Sequence, residues 1–283
     1  MQRLRRLLQR RSARSGDRAF VAEGAKLLDC ALDAGASVEA VYVGAGTLGQ
    51  TPVRRSVERA MSAGARAFEL APGVLEKVAD TVTPQPVLAV VRTPEATLDD
   101  IADAQFVVVC VDVRDPGNAG ALIRSADAAG AGGVVCCDGT VDPFNPKTVR
   151  ASAGSVLHLP LVTGVTAPEA LDWLVSHGFM LRGAVAHGGT PHTEVDWSRK
   201  SALVLGNEAS GLDDTVRSHV GELVSVNMTG HAESLNVAIA GAVLCFEALR
   251  QRSTLAGVAD AVNGRNELTS GNDLAGRNDL AKQ

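Results

Sequence analysis

The stretch from Leu203 to Leu249, LVLGNEASGLDDTVRSHVGELVSVNMTGHAESLNVAIAGAVLCFEAL, constrains this chain more than any other. LVLG (Leu203 to Gly206) is a short apolar run that ends in glycine and is followed by Asn207, Glu208 and Gly211. LVSVNM (Leu223 to Met228) is a second apolar run, and ESLN (Glu233 to Asn236) opens a long segment of small apolar residues, Val237 to Leu249. Short apolar runs bounded by turn residues predict buried parallel strands; the longer segment predicts a core helix. Polar groups stand where each strand ends, which is where open α/β sheets bind their ligands.

Upstream, strands and helices alternate. Arg3 to Arg11 predicts a helix with Leu4, Leu7 and Leu8 on one face. Strands are expected at Phe20–Gly24, Val38–Val43, Ala67–Leu70 and Val87–Val91, with helices at Ala25–Ala34, Ser56–Ala63 and Pro72–Val78 between them. Residues 1–92 thus form a small αβα domain, and the polar, proline-bearing residues 93–104 are its linker to the next. Residues 105–252 make a second domain. FVVVCVD (Phe106 to Asp112) is its central strand, RDPGNAG (Arg114 to Gly120) a turn, and Ala121 to Ala129 a helix. A strand at Gly133–Cys137, a loop or short helix at Asp142–Val149, a strand around Leu157–Leu161, a helix at Ala167–His177 and a strand at Met180–Ala186 follow. Such alternation implies a parallel sheet with helices on both faces. Residues 253–283 repeat Gly, Asn, Asp and Leu without apolar periodicity and are expected to form a disordered tail.

Composition excludes several classes. With 46% hydrophobic and 21% charged residues the chain is an ordinary folded protein. It has no apolar run of about 18 residues, so no membrane span is expected. The basic N-terminus lacks the apolar stretch of a secretory signal. The five cysteines form no CxxC pair and read as buried thiols of a cytoplasmic protein; the six histidines show no HxxxH spacing, so no metal site is expected. The net charge of −5 is unevenly spread: residues 1–95 carry 14 Lys+Arg against 10 Asp+Glu. Arginines 3, 5, 6, 10, 11, 14 and 18 crowd the start. That is the footprint of a phosphate-backbone contact, or of an exposed amphipathic helix whose arginines keep it soluble.

Three constellations carry possible chemistry. In the first, Asn118 either caps a helix or meets a ligand, and Arg124 follows on a segment otherwise rich in Ala, Leu, Ile and Gly. A planar fork donor there suits a phosphate or carboxylate, or a buried ion pair with Glu208 or Asp112. The second is Gly206-Asn207-Glu208-Ala-Ser-Gly211, whose spacing is neither GxGxxG nor GxxxxGK[ST], against a dinucleotide or ATP site. In the third, Ser234-Leu235-Asn236, Ser234 is either a helix N-cap or a site residue.

Taken in order, NxGxxxRSA, LVLGNExxG and SVxMxGxxxSLNVAxA resemble the three motifs of the SpoU (TrmH) family of RNA 2′-O-ribose methyltransferases. The resemblance runs from residue 1 to about 252. NPKTVRASAGSVLHLPL resembles the segment after the first motif, and FVAEGAKLLDCAL with VTPQPVLAVV resembles the family's L30e-like substrate-binding domain. Asn227 departs from the pattern, which has proline there. The resemblance implies an α/β fold whose C-terminal SPOUT-type parallel sheet holds a deep trefoil knot, an arrangement that general topology rules would not suggest. It implies S-adenosyl-L-methionine as cofactor, bound by Gly206, Val226, Leu235, Leu205, Met228 and Ala184. It gives Arg124 the central catalytic role, with Glu208 orienting Arg124 or the ribose and Asn118, Ser234 and Asn236 completing a hydrogen-bond network. Lys147, Arg150, Arg5 and Arg10 are expected on RNA. A cytoplasmic homodimer is implied, with the helix Val237–Leu249 at the interface. The substrate is expected to be 23S ribosomal RNA in preference to transfer RNA. A non-catalytic RNA-binding protein on the same scaffold should have lost Arg124, Glu208 or Asn236; all three are present.

Overall fold

A computed structural model describes residues 1–79 and 83–270, with side chains to residue 254. Leu4, Leu7 and Leu8 recur at helical spacing and are buried by α1 (Gln2–Gln9). Arg10 is extended and ends that helix, and a second one not expected from the sequence, α2 (Arg11–Asp17), follows. Then come β1 (Ala19–Glu23), α3 (Ala25–Asp33), β2 (Val38–Val43), α4 (Thr51–Ser62), β3 (Arg66–Glu69), α5 (Val74–Val78) and β4 (Val87–Arg92). Their sheet has the order β1-β4-β2-β3, antiparallel except for the β2–β3 pair. Leucines of α1 and α5 cover one face; α3 and α4 cover the other.

The connection to the second sheet is ordered. A single 3-10 turn, Leu98–Ile101, is closed at its start by reciprocal hydrogen bonds between Thr97 and Asp100, and it buries Ile101. The second sheet draws on β5 (Phe106–Cys110), α6 (Pro116–Ala128), β6 (Val134–Cys136), α7 (Pro146–Ala151), β7 (Leu161–Thr163), α8 (Ala167–Ser176), β8 (Met180–Ala184), β9 (Thr190–Pro191), β10 (Ser201–Leu205), α9 (Asp214–His219), β11 (Glu222–Ser225) and α10 (Val237–Ser270). Its seven strands run β7-β6-β5-β10-β8-β11-β9 and pair in parallel throughout. β5 and β10 lie at its centre and are buried at every residue, as unbroken Val/Leu runs demand.

Three expectations shift. The strand foreseen around Leu157 starts only at Leu161, because Ser155–Leu157 forms a 3-10 turn and Pro160 cannot donate to a ladder. α6 begins at Pro116, not Ala121, since Asp115 is its cap. α10 overruns residue 253, where the sequence loses its apolar pattern; residues 271–283 of the expected tail lie outside the described residues.

The two sheets share one apolar cluster, which includes Phe20, Leu28 and Val41 together with Phe106, Val149 and Phe144. Phe20 and Phe144 meet with ring centroids 5.1 Å apart. Two ion pairs flank them: Arg14 Nε to Asp142 Oδ2 at 2.6 Å and Arg150 Nη1 to Glu23 Oε2 at 3.0 Å.

Candidate active site

The site forms where the central strands β5 and β10 end. After β5 the chain turns through Asp112, whose φ of 56° is left-handed and rare outside glycine. Asn207, just past β10, holds that turn: its Nδ2 donates to the Asp112 carbonyl at 2.9 Å and to Asp112 Oδ2 at 3.1 Å. The other carboxylate oxygen of Asp112 accepts from Arg114 Nε at 2.8 Å. Asn207 Oδ1 in turn accepts from the amides of Ala209 and Ser210, and its backbone pairs with Gly211 in both directions. Gly206 is required at the base of this loop. A Cβ there would lie 2.3 Å from the Gly211 carbonyl oxygen.

Glu208 accepts from the amides of Asp115 (3.0 Å) and Arg114 (3.2 Å) and from Asn118 Nδ2 (3.1 Å). Burial pushes its carboxyl upward, but these bonds, led by Asn118, outweigh it and hold the pKa below the ordinary value. An ionised carboxylate only accepts, so the Asn118 amide must turn its nitrogen toward Glu208. Its oxygen then faces Asn236, whose Nδ2 donates at 2.9 Å. The remaining Asn236 oxygen accepts from the amides of Ala238 and Ile239. One carboxylate therefore fixes two amides and the first turn of α10.

Two capping expectations are thereby corrected. Asp115, accepting from the Asn118 amide, caps α6 and leaves the Asn118 side chain free to link Glu208 with Asn236. Asn236, not Ser234, caps α10. The expected contact between Glu208 and Arg124 is absent, because Glu208 is committed to the start of α6. Arg124 is exposed and has no ion pair or hydrogen bond among the described residues, which also removes the buried-ion-pair reading.

Beside this network lies a cavity of about 300 Å³. Ala184, Leu205, Gly206, Val226, Met228 and Leu235 all line it, as do Glu208 and Ser234. Its walls are the ends of β8, β10 and β11, the 206–212 loop and the first turns of α10. Apolar side chains face exposed backbone groups of a tight loop, a combination that suits a flat ring carried by a polar tail. Arg217 also lines it and donates from Nε to the Leu212 carbonyl at 3.2 Å. Sequence reasoning missed Arg217, which belongs to no motif and reaches the cavity only through the fold of α9. Asn118, Arg124 and Asn236 stand outside the lining. Among the described residues no cluster of His, Cys, Asp and Glu could hold a metal, and no helix is long and apolar enough to cross a membrane.

Lys147, Arg5 and Arg10 are exposed and have no acidic partner among the described residues. Arg150 differs: it is half-buried and paired with Glu23 across the interface between the two sheets. That makes it a structural contact, with only part of its guanidinium open to solvent.

Comparison with known proteins places these features. The pattern described as the SpoU rRNA Methylase family matches residues 105–246, and that of the MRM3-like substrate binding domain matches residues 1–89. The 23S rRNA (guanosine(2553)-2′-O)-methyltransferase RlmP of Bacillus subtilis is 35% identical over 84% of this chain and 92% of its own length. The 23S rRNA (uridine(2479)-2′-O)-methyltransferase of Streptomyces viridochromogenes is 36% identical over 65% of this chain and 67% of its own. Among solved structures, the SpoU methyltransferase AviRb from S. viridochromogenes, in complex with AdoMet, superposes with a TM-score of 0.82. It has 31% identity and covers 89% of this chain and 97% of that one. An AdoMet-bound rRNA methyltransferase from Sinorhizobium meliloti gives 0.78 at 31% identity, covering 88% and 93%.

Proposed function

The chain belongs to the SpoU rRNA methylase family, and from that premise we infer that it transfers a methyl group from S-adenosylmethionine to a ribose 2′-hydroxyl of 23S ribosomal RNA. The observation that carries this reading is the convergence of three segments, around residues 118, 208 and 236, on one cavity edge through the Glu208–Asn118–Asn236 link. Only RNA offers the 2′-hydroxyl. Large-subunit RNA is preferred to transfer RNA because two relatives, 35% and 36% identical, are named for 23S substrates, and because residues 1–89 match a substrate-binding domain.

S-adenosylmethionine supplies an electrophilic methyl group on a positive sulfur, so the protein's task is alignment and removal of one proton. The cavity fits that cofactor: Leu205, Val226 and Leu235 offer apolar walls, and Gly206 leaves a space that any side chain would fill. Arg124, uncommitted among the described residues, reaches the RNA: its guanidinium binds the phosphate beside the target ribose and polarises the hydroxyl. It does not act as a base, because a guanidinium keeps its proton; the hydroxyl proton passes to solvent water as the methyl is transferred. Glu208, Asn118 and Asn236 hold the floor on which the ribose rests, and Ser234 sits at the cavity mouth. Lys147, Arg5 and Arg10 bind phosphates further along the strand.

We further assign this chain the family's trefoil knot, supported by α10 returning to pack on α6 and β10. A homodimer through α10 is supported by its uncovered apolar stripe, in which Ile239 is 55% and Phe246 49% exposed. A cytoplasmic location accords with the rRNA substrate. The deciding experiment is methyl transfer from labelled S-adenosylmethionine to ribosomal and transfer RNA fractions of a strain lacking the gene. Alkali-resistant label in large-subunit RNA is expected. Label confined to transfer RNA would overturn the substrate, and label at a base would overturn the chemistry.

A further inference from the structure

β3 is the free edge of the first sheet, since β1 at the other edge packs on α7. All four of its residues are exposed. Phe68 is 42% exposed and stacks on its register partner Tyr42, the only tyrosine of the chain, with centroids 5.3 Å apart and planes 20° from parallel. Tyr42 rests on the cluster of Leu88 and Val90 beneath α1, which anchors the pair while Phe68 stays exposed. Arg66, two residues earlier on the same face of the strand, holds its guanidinium 5.9 Å from the Phe68 centroid. No carboxylate pairs with Arg66 among the described residues. Glu69 points to the opposite face and accepts from the Gly46 amide at 3.0 Å. α1 covers the same face of the sheet and turns Arg5 and Arg6 to solvent.

We propose that Phe68, backed by Tyr42 and flanked by Arg66, is a stacking platform for one unpaired base of the substrate RNA, with Arg66 on the adjoining phosphate. This rests on the reading of the substrate as RNA. An exposed aromatic ring with an uncompensated guanidinium within reach of it is how sheets grip single-stranded nucleic acid: every base offers a π face, and the phosphate beside it needs a cation. A second copy of the chain pairing along β3 is disfavoured, since the strand is short and flanked by charges of both signs.

The test uses the full-length protein. Phe68→Trp places an indole at the platform; a short unstructured RNA strand should quench its emission beyond that of the wild type, and a duplex of equal length should not. Phe68→Ala should raise the KM for 23S RNA by roughly five- to a hundredfold. It should leave kcat and cofactor affinity unchanged, and Phe68→Trp should restore the KM. Unchanged KM in Phe68→Ala together with no quenching would overturn the platform. So would a loss of dimer mass in Phe68→Ala at unaltered RNA affinity, which would give the edge to a second copy. Quenching by single-stranded RNA in a protein that methylates no ribosomal RNA would keep the platform and defeat the proposed substrate instead.

Discussion

Arg124 stands exposed on α6 without a counter-ion among the described residues, while Asn118 on the same helix is held from both sides. If its planar fork is what grips the phosphate, Arg124→Lys should lower kcat by about a hundredfold or more while cofactor affinity stays within about twofold. Retained kcat would remove Arg124 from the chemistry. Glu208 tests the network by pH. Its pKa is held below the ordinary carboxylate value, so its contribution is complete above the unfolded value and is lost as pH falls through the folded one. Cofactor affinity should then be flat through the neutral range and weaken only in acid below the ordinary carboxylate range. An inflection near neutrality, absent in Glu208→Gln, would contradict this. At this scale the sequence was informative about identity and silent about partners. Gly206, Glu208 and Asn236 can all be picked out by motif. That the freed Asn118 amide links Glu208 to Asn236 depends on contacts between residues 90 and 118 positions apart in the chain.

Elements were legible where a single period ruled. The Val/Leu runs of β5 and β10 and the leucine face of α1 follow from side-chain spacing alone. Boundaries set by other elements were not: the break between α1 and α2 depends on what packs there. Arg14, just past that break, reaches back to the Leu7 carbonyl and across to Asp142. Gly120 shows the same dependence. It looks like a turn glycine, yet it lies inside α6 where a Cβ would come within 2.5 Å of Ala151 Cβ and 2.6 Å of the Thr148 carbonyl on α7. Gly120→Ala should therefore destabilise the fold by roughly 1–3 kcal/mol despite the better helix propensity of alanine. Thermal unfolding should register this as a drop of several degrees. A rise in melting temperature would show that α6 and α7 can separate without cost.

Across the whole molecule, a shared core and two ion pairs join the two sheets. Arg14 is 5% exposed, so Arg14→Ala should strand Asp142 and cost about 3–5 kcal/mol in chemical denaturation. The double change Arg14→Met with Asp142→Leu should recover most of it, and a single variant as stable as the wild type would mean the pair is dispensable. None of this coupling was visible in the sequence, where residues 93–104 read as a plain linker. The cavity has a consequence in time as well. Its floor comes from residues near 206 and its last wall from residues 234–244. The link that squares it joins Asn118 to Asn236, and such distant pairings form late in folding. A chain still being synthesised therefore has no complete place for the cofactor until residues 234–244 have been made and folded back.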